Sequence, residues 1–251
     1  MQKEYRPLLG EKGISGSTLK LIAVLTMLID HVGAVIVERW LLWDAAASNP
    51  YAFHPRVYLL DQVLRSVGRL SFPIFCFLLV EGFSHTGNLK KYLLRLLGFA
   101  LLSEIPFDLA FAGTAVSLKY QNVYFTLFIG VAAIGGMEKI KSRMQMGKIR
   151  KIVLCLILLV AGLFLGEVLR TDYGAKGVFS IVVLYLLRYS GLWQMVGGGA
   201  TFLWELPASL AFLPIAAYNG KRGWKLKYIF YIFYPVHLLV LYGIASFMGI
   251  A

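Results

Sequence analysis

Aspartate and histidine stand side by side at positions 30 and 31, inside the apolar run LKLIAVLTMLIDHVGAVIV from Leu19 to Val37. At about 1.5 Å per helical residue, His31 falls ~18 Å into that run, past the middle of a bilayer's hydrocarbon. An ionisable side chain at that depth costs ~2.5 kcal/mol or more, so such residues face a bundle interior or a wet cavity and mark functional sites. An imidazole there is suited to general acid–base or proton-relay chemistry, with a neighbouring carboxylate to fix its tautomer. The plain alternative is polar glue between helices.

Further polar and ionisable groups interrupt apolar runs and sort by depth into two sets. The first holds Asp30, His31, Glu104, Asp108, Asn122 and His237. Glu104 and Asp108 are four apart and share a helix face, which is repulsive in low dielectric unless a proton, cation or water stands between them. The second set, near the inner surface, is Glu81, His85, Lys90, Lys91 and Arg95. Lys91 and Arg95 lie on one face where their helix leaves the membrane, a place to hold phosphate by charge and bidentate hydrogen bonds. Glu81, with Arg69, reads rather as structural ion pairing. One bundle with a phosphate-binding mouth and a histidine and carboxylate centre suits transfer of a group across a membrane. Walker A, HExxH and GxSxG patterns are absent from the sequence, as is any Cys/His metal spacing, so nucleotide hydrolysis and zinc chemistry are not expected.

The elements that must position these groups are transmembrane helices. The 251 residues are 59% hydrophobic with a mean hydropathy of +0.71, more apolar than soluble domains at ~45–50%. The polar start MQKEYRPLLGEKG does not read as a cleavable signal, and none is expected. A formal net charge of +12 records topology and anionic lipid rather than nucleic acid. Cys76 and Cys155 both lie in apolar runs and imply no disulfide framework.

We therefore expect an all-α, polytopic helical bundle, a single domain over 1–251, with about eight spans: 19–37, 63–83, 93–111, 122–137, 152–169, 178–189, 193–217 and 228–247. Residues 38–62, with Trp40, Trp43, Tyr51 and Tyr58, read as an interfacial loop on the outer surface. Lys139, Lys141, Arg143, Lys148, Arg150 and Lys151 place that loop in the cytoplasm, with Lys3, Arg6 and the amino terminus. The run 193–217 is interrupted by Gly197, Gly198, Gly199 and Pro207, which marks a broken helix. Eight crossings would put Lys221, Arg222, Lys225 and Lys227 outside, against the positive-inside rule. Either 193–217 is re-entrant, with the carboxyl terminus outside, or this loop is an exception.

The motifs LKLIAVLTMLIDHVGA, GRLSFPIFCFLLVEGFSHTGNLKKYLLRLL, SEIPFDLAF, QNVYFTL, DYGAKGV, YNGKRG and KLKYIFYIFYPVHLL, in this order from Leu19 to Leu241, resemble the TraX family, named for a protein that acetylates the amino terminus of F-type pilin. That family in turn looks distantly similar to acyltransferase-3 proteins and the lysosomal heparan acetyltransferases. The resemblance implies a transmembrane acetyltransferase of the inner membrane, taking the acetyl group from cytoplasmic acetyl-CoA. Lys20 followed by an aliphatic stretch ending in His31 resembles the acyltransferase-3 pattern whose histidine is catalytic. His31 would be general base, with Asp30, Asp108 or Glu104 fixing its tautomer. Lys90, Lys91, Arg95 and His85 would handle acetyl-CoA, with KKYLLR departing from the arginine pair common in acyltransferase-3 proteins. Asn122, His237 and Asp172 would meet the acceptor, an amine or hydroxyl on a glycan, amino sugar, pilin or lipid head group. No metal is implied, and a homo-oligomer is compatible. The competing expectation is a proton-coupled transporter or flippase, since intramembrane Asp, Glu and His chains also relay protons.

Overall fold

The computed structural model describes residues 12–47, 54–224 and 227–251; Lys3, Arg6, Tyr51 and Lys225 lie outside them. Those residues are helical throughout, relieved only by turns and two isolated bridges. The order is α1 (Gly16–Val32), a π-helical turn (Gly33–Val37), α2 (Glu38–Ala47), α3 (Pro55–Gly68), α4 (Ser71–Ser84), α5 (Leu89–Ala112), α6 (Val123–Lys141), α7 (Lys148–Val168), α8 (Gly174–Leu186), α9 (Gly191–Ala200), α10 (Leu206–Ser209), α11 (Phe212–Ala216) and α12 (Lys227–Phe247). Hydrocarbon supplies no partner for a bare peptide group, so the chain satisfies its backbone within helices and caps their ends. Ser15 accepts from the Thr18 amide, Asn88 from Lys91 and Asn122 from Tyr124. Gly113, at φ +68°, closes α5 in the left-handed conformation that glycine adopts without strain.

Among the described residues, five helices are long and apolar enough to cross a membrane: Gly16–Ala45, Pro55–Ser84, Val123–Lys141, Lys148–Val168 and Ile229–Phe247. The chain is a multi-pass membrane protein. The expected count of about eight is not reached by length and apolarity, because α5 carries Lys90, Lys91, Arg95, Glu104 and Asp108 and α8 has only 13 residues. Residues 38–62 are also not the expected loop. The first span runs on through the π turn into α2, and α3 is a helix opened by Pro55. Asp61, in the expected loop, and Arg65, in the expected span 63–83, lie on the same helix α3, which packs on α1. A ring contact of Trp40 with His54 (5.2 Å) and a His54–Asp44 pair (2.9 Å) tie α2 to the start of α3.

The bundle has two ends. At one, Gly16 and Ser17 donate backbone hydrogen bonds to the carbonyls of Lys221 and Arg222 (2.8 and 3.0 Å), and Ile14 pairs with Ala217 (2.7 Å). Phe83 packs edge-on against Tyr185 (5.8 Å), and Arg188 meets Glu138 (2.9 Å). At the other, Gln121 and the turn after α7 exchange backbone hydrogen bonds. The run 191–217 leaves the first end beside Arg188, turns at Glu205, and returns to the same end, where Tyr218 packs on Phe77 (5.4 Å). It is the re-entrant alternative, and the loop 219–224 therefore shares an end with the start of α1. The interruptions have a packing cause: a Cβ on Gly198 would meet Phe212 and Leu184 within 2.8 Å, so the two arms of the hairpin close only on glycine.

Candidate functional site

His31 Nδ1 lies 2.6 Å from Nε2 of His237 on α12, and His237 Nδ1 lies 2.8 Å from the carbonyl of Phe233. The two rings are 3° apart in plane with centroids 4.9 Å apart, so they meet edge to edge in one plane. Phe111 and Tyr234 pack edge-on against His31 at 5.5 and 6.1 Å. His237 is buried, whereas His31 is half-buried. The π turn begins two residues after His31, as such turns frequently do at functional sites.

Beside the histidines stands a charge cluster. Arg65 reaches Asp30 (2.9 Å) and Arg69 reaches Glu205 at the tip of the re-entrant hairpin (2.7 Å). Tyr173, within the field of Arg69, stacks on Phe72 (3.6 Å, 7°), and Asp172 lies within the field of Asp30, Arg69 and Arg65. Room for Asp30 comes from Gly68, where a Cβ would fall 2.1 Å from that of Asp30. Arg170 and Tyr173 hold φ of 51° and 65°, a conformation that costs non-glycine residues energy and persists where surrounding structure enforces it.

At the end shared by α1 and the 219–224 loop, a cavity of about 570 Å³ is lined by Lys20, Arg95 and Arg222 together with Tyr92, Tyr124 and Tyr231. Its volume is in the range of small-molecule sites, ~300–1,000 Å³. Arg95 lies over the rings of Tyr92 and Tyr231 (5.7 and 6.0 Å), and its buried Nε has no hydrogen-bond partner. Tyr124 continues inward, packing edge-on against Tyr234 (5.2 Å), which packs against both histidines. The tyrosines thus form a wall shared by the basic cavity and the histidine pair. Pro235 removes the amide that would bond the Tyr231 carbonyl, and the Tyr124 hydroxyl takes its place (3.3 Å).

Of the residues expected to act together, the structure joins His31 with His237 and places Arg95 and His85 at the cavity. Lys90 and Lys91 are exposed one turn away and do not line it. The carboxylates are spent elsewhere. Asp30 holds Arg65, Glu104 takes the Asn122 side-chain amide, and buried Asp108 accepts from the Ser117 amide (2.7 Å). The partner of the His31 ring is His237, in place of the carboxylates expected to fix its tautomer, because helix α1 turns Asp30 about 100° away, toward α3. Asn122 is fully buried and caps α6, bonded to Ala100 and Glu104. Glu81 pairs with His85 (3.7 Å) while Arg69 takes Glu205. Sequence reasoning missed Arg65, Glu205 and Tyr173: Arg65 stands near the start of the expected span 63–83, and only the fold brings it together with Glu205 from the interrupted run 193–217 and Tyr173 from the turn after α7; Arg222 stood in the loop whose side was in conflict. No group of three or more metal-ligating His, Cys, Asp or Glu occurs among the described residues.

The sequence model of one protein family, described as TraX protein, matches residues 15–245. The chain is also 31% identical over 264 residues to a protein named "Probable fimbrial assembly protein FimC, serogroup H1" from Dichelobacter nodosus, covering 93% of this chain and 97% of that relative. No solved structure matches.

Proposed function

The chain belongs to the TraX family, and from that premise we propose that it is a transmembrane acyltransferase that carries an acetyl group from acetyl-CoA on the cytoplasmic side to an amine or hydroxyl on the far side. The observation that carries this reading is the basic, tyrosine-lined cavity linked through Tyr124 and Tyr234 to the His31–His237 pair. The cavity suits a phosphorylated donor: Arg95 has an unmet buried donor, and Lys20 and Arg222 add positive charge around a largely apolar interior. Arg95, Lys20 and Arg222, with His85 at the rim, would hold the donor's phosphates. His31 acts as general base. As the acceptor nitrogen or oxygen bonds to the acyl carbon, its proton passes to His31; the C–S bond breaks, and the proton is returned to the departing thiolate.

The cluster at Glu138–Lys151, on the same end as the cavity, supports a cytoplasmic location for that end and for the amino terminus in a bacterial inner membrane. The relative's name points to fimbriae, so a pilus-related acceptor heads the candidates. One feature favours a second reading: the interrupted, re-entrant α9–α11 is the kind of element that builds transporter sites. Titrating the purified protein with CoA while following its thermal unfolding, then incubating it with acetyl-CoA and envelope material for mass spectrometry, separates the two. Stabilisation by CoA and an acetyl mass increment on the acceptor are expected; no stabilisation and no increment would favour transport.

A further inference from the structure

We infer that His237 is a positioning residue which locks His31 in the Nδ1–H tautomer and so makes Nε2 of His31 the basic atom; this rests on the acyl-transfer reading only for its catalytic consequence. The Phe233 carbonyl accepts and never donates, so the 2.8 Å contact requires a proton on His237 Nδ1. In a neutral ring that leaves His237 Nε2 as a lone pair. The 2.6 Å contact to His31 then requires the proton to sit on His31 Nδ1. Coplanar rings, 3° apart, direct that N–H along the lone pair. The order is fixed from one end by a main-chain carbonyl of α12, and runs Phe233 carbonyl, His237, His31.

Two consequences follow. Free histidine prefers the Nε2–H form, so without His237 the base atom of His31 would mostly carry a proton and be unable to accept one. When His31 does take up the acceptor's proton, its Nδ1–H becomes the donor of a charged ring, and the hydrogen bond to His237 strengthens as that charge develops. The ring edge opposite His237 is the one left uncommitted, since Nδ1 is taken by His237. His237 was expected at the acceptor; it stands behind the base instead, and it is the helix of the YPVH motif that brings it there.

The test has two arms. Nitrogen chemical shifts of histidine-labelled protein in detergent, assigned with His31→Gln and His237→Gln, report the tautomers without any turnover. His31 protonated on Nδ1 is expected, and a wild-type His31 protonated on Nε2 overturns the inference. In the second arm, His237→Leu is expected to lower kcat by about 10²-fold or more, as wrong-tautomer variants do, with KM for acetyl-CoA unchanged. His237→Gln, whose side-chain oxygen accepts from Nδ1–H, recovers most of that loss. Equal kcat for wild type and His237→Leu, or a Gln variant as slow as Leu, also overturns it. If the tautomer is as expected and wild type transfers no acetyl group, the acyl-transfer reading fails and the tautomer assignment stands.

Discussion

At the scale of single residues, the two histidines and three basic side chains divide the work differently from the carboxylates around them. Asp30 was legible as a functional candidate because it breaks an apolar run, and in the fold it pairs with Arg65; that partner, near the start of the expected span 63–83, was hidden because a hydropathy pattern does not say which helix packs against which. His31→Ala is expected to lower kcat for acetyl transfer by about 10²–10⁴-fold while CoA still stabilises the protein, since a general base contributes little to donor affinity. Steady-state kinetics on reconstituted protein check this, and retained turnover removes His31 from the chemistry. At the cavity, Arg95→Ala should raise the KM for acetyl-CoA about tenfold or more, a charge-assisted hydrogen bond to phosphate being worth ~1.5–3 kcal/mol. Arg95→Lys separates recognition from simple anchoring. A side chain that only snorkels to the interface tolerates lysine, whereas a guanidinium held over Tyr92 and Tyr231 with a free Nε does not.

At the scale of elements, the re-entrant hairpin α9–α11 is the part that holds the two regions in register. Its tip supplies Glu205 to Arg69, next to the Asp30–Arg65 pair, and its returning arm leads into Tyr218, Gly220 and Arg222 at the cavity. The run of three glycines and Pro207 announced a break, and the basic residues after it pointed to the cytoplasmic side against the count of eight crossings; neither pattern alone says that a chain turns back, because that depends on which surface the arms pack against. Removing one partner of a pair sunk in a bundle strands the other charge, at a cost of about 3–5 kcal/mol. Glu205→Ala is therefore expected to lower the midpoint of thermal unfolding in detergent, and the double variant Glu205→Ala with Arg69→Met is expected to recover part of that loss, since no charge is then left unpaired. Additive losses in the double variant would mean that the two side chains act independently. Gly68→Ala belongs to the same scale: its methyl group would overlap the Asp30 side chain and push α3 off α1, giving a loss of stability with no charge added or removed.

At the scale of the whole molecule, composition alone was enough for a polytopic helical protein, and the spans in 122–137, 152–169 and 228–247 fall on α6, α7 and α12 with ends shifted by a few residues. The path of the chain between the two ends was not, since a hydropathy profile records which segments are apolar and not which of them cross. The backbone pairing of Gly16 and Ser17 with Lys221 and Arg222 settles that the 219–224 loop and the start of α1 share one end. This removes the conflict with the positive-inside rule, because Lys221 and Arg222 then join Lys90, Lys91 and the cluster at 139–151 on a single side. Single cysteines in a Cys76→Ala, Cys155→Ala background test the assignment with a membrane-impermeant thiol reagent on intact cells and on inverted vesicles. Cysteines replacing Asn88, Ser142 and Lys221, all exposed at the cavity end, should label together and only in inverted vesicles. One replacing the exposed Thr114, in the segment after α5 at the opposite end, should label only in intact cells. Labelling at position 221 in company with 114 would turn the hairpin into a crossing helix, carry Arg222 away from the cytoplasm, and leave the cavity without the donor-binding role proposed for it.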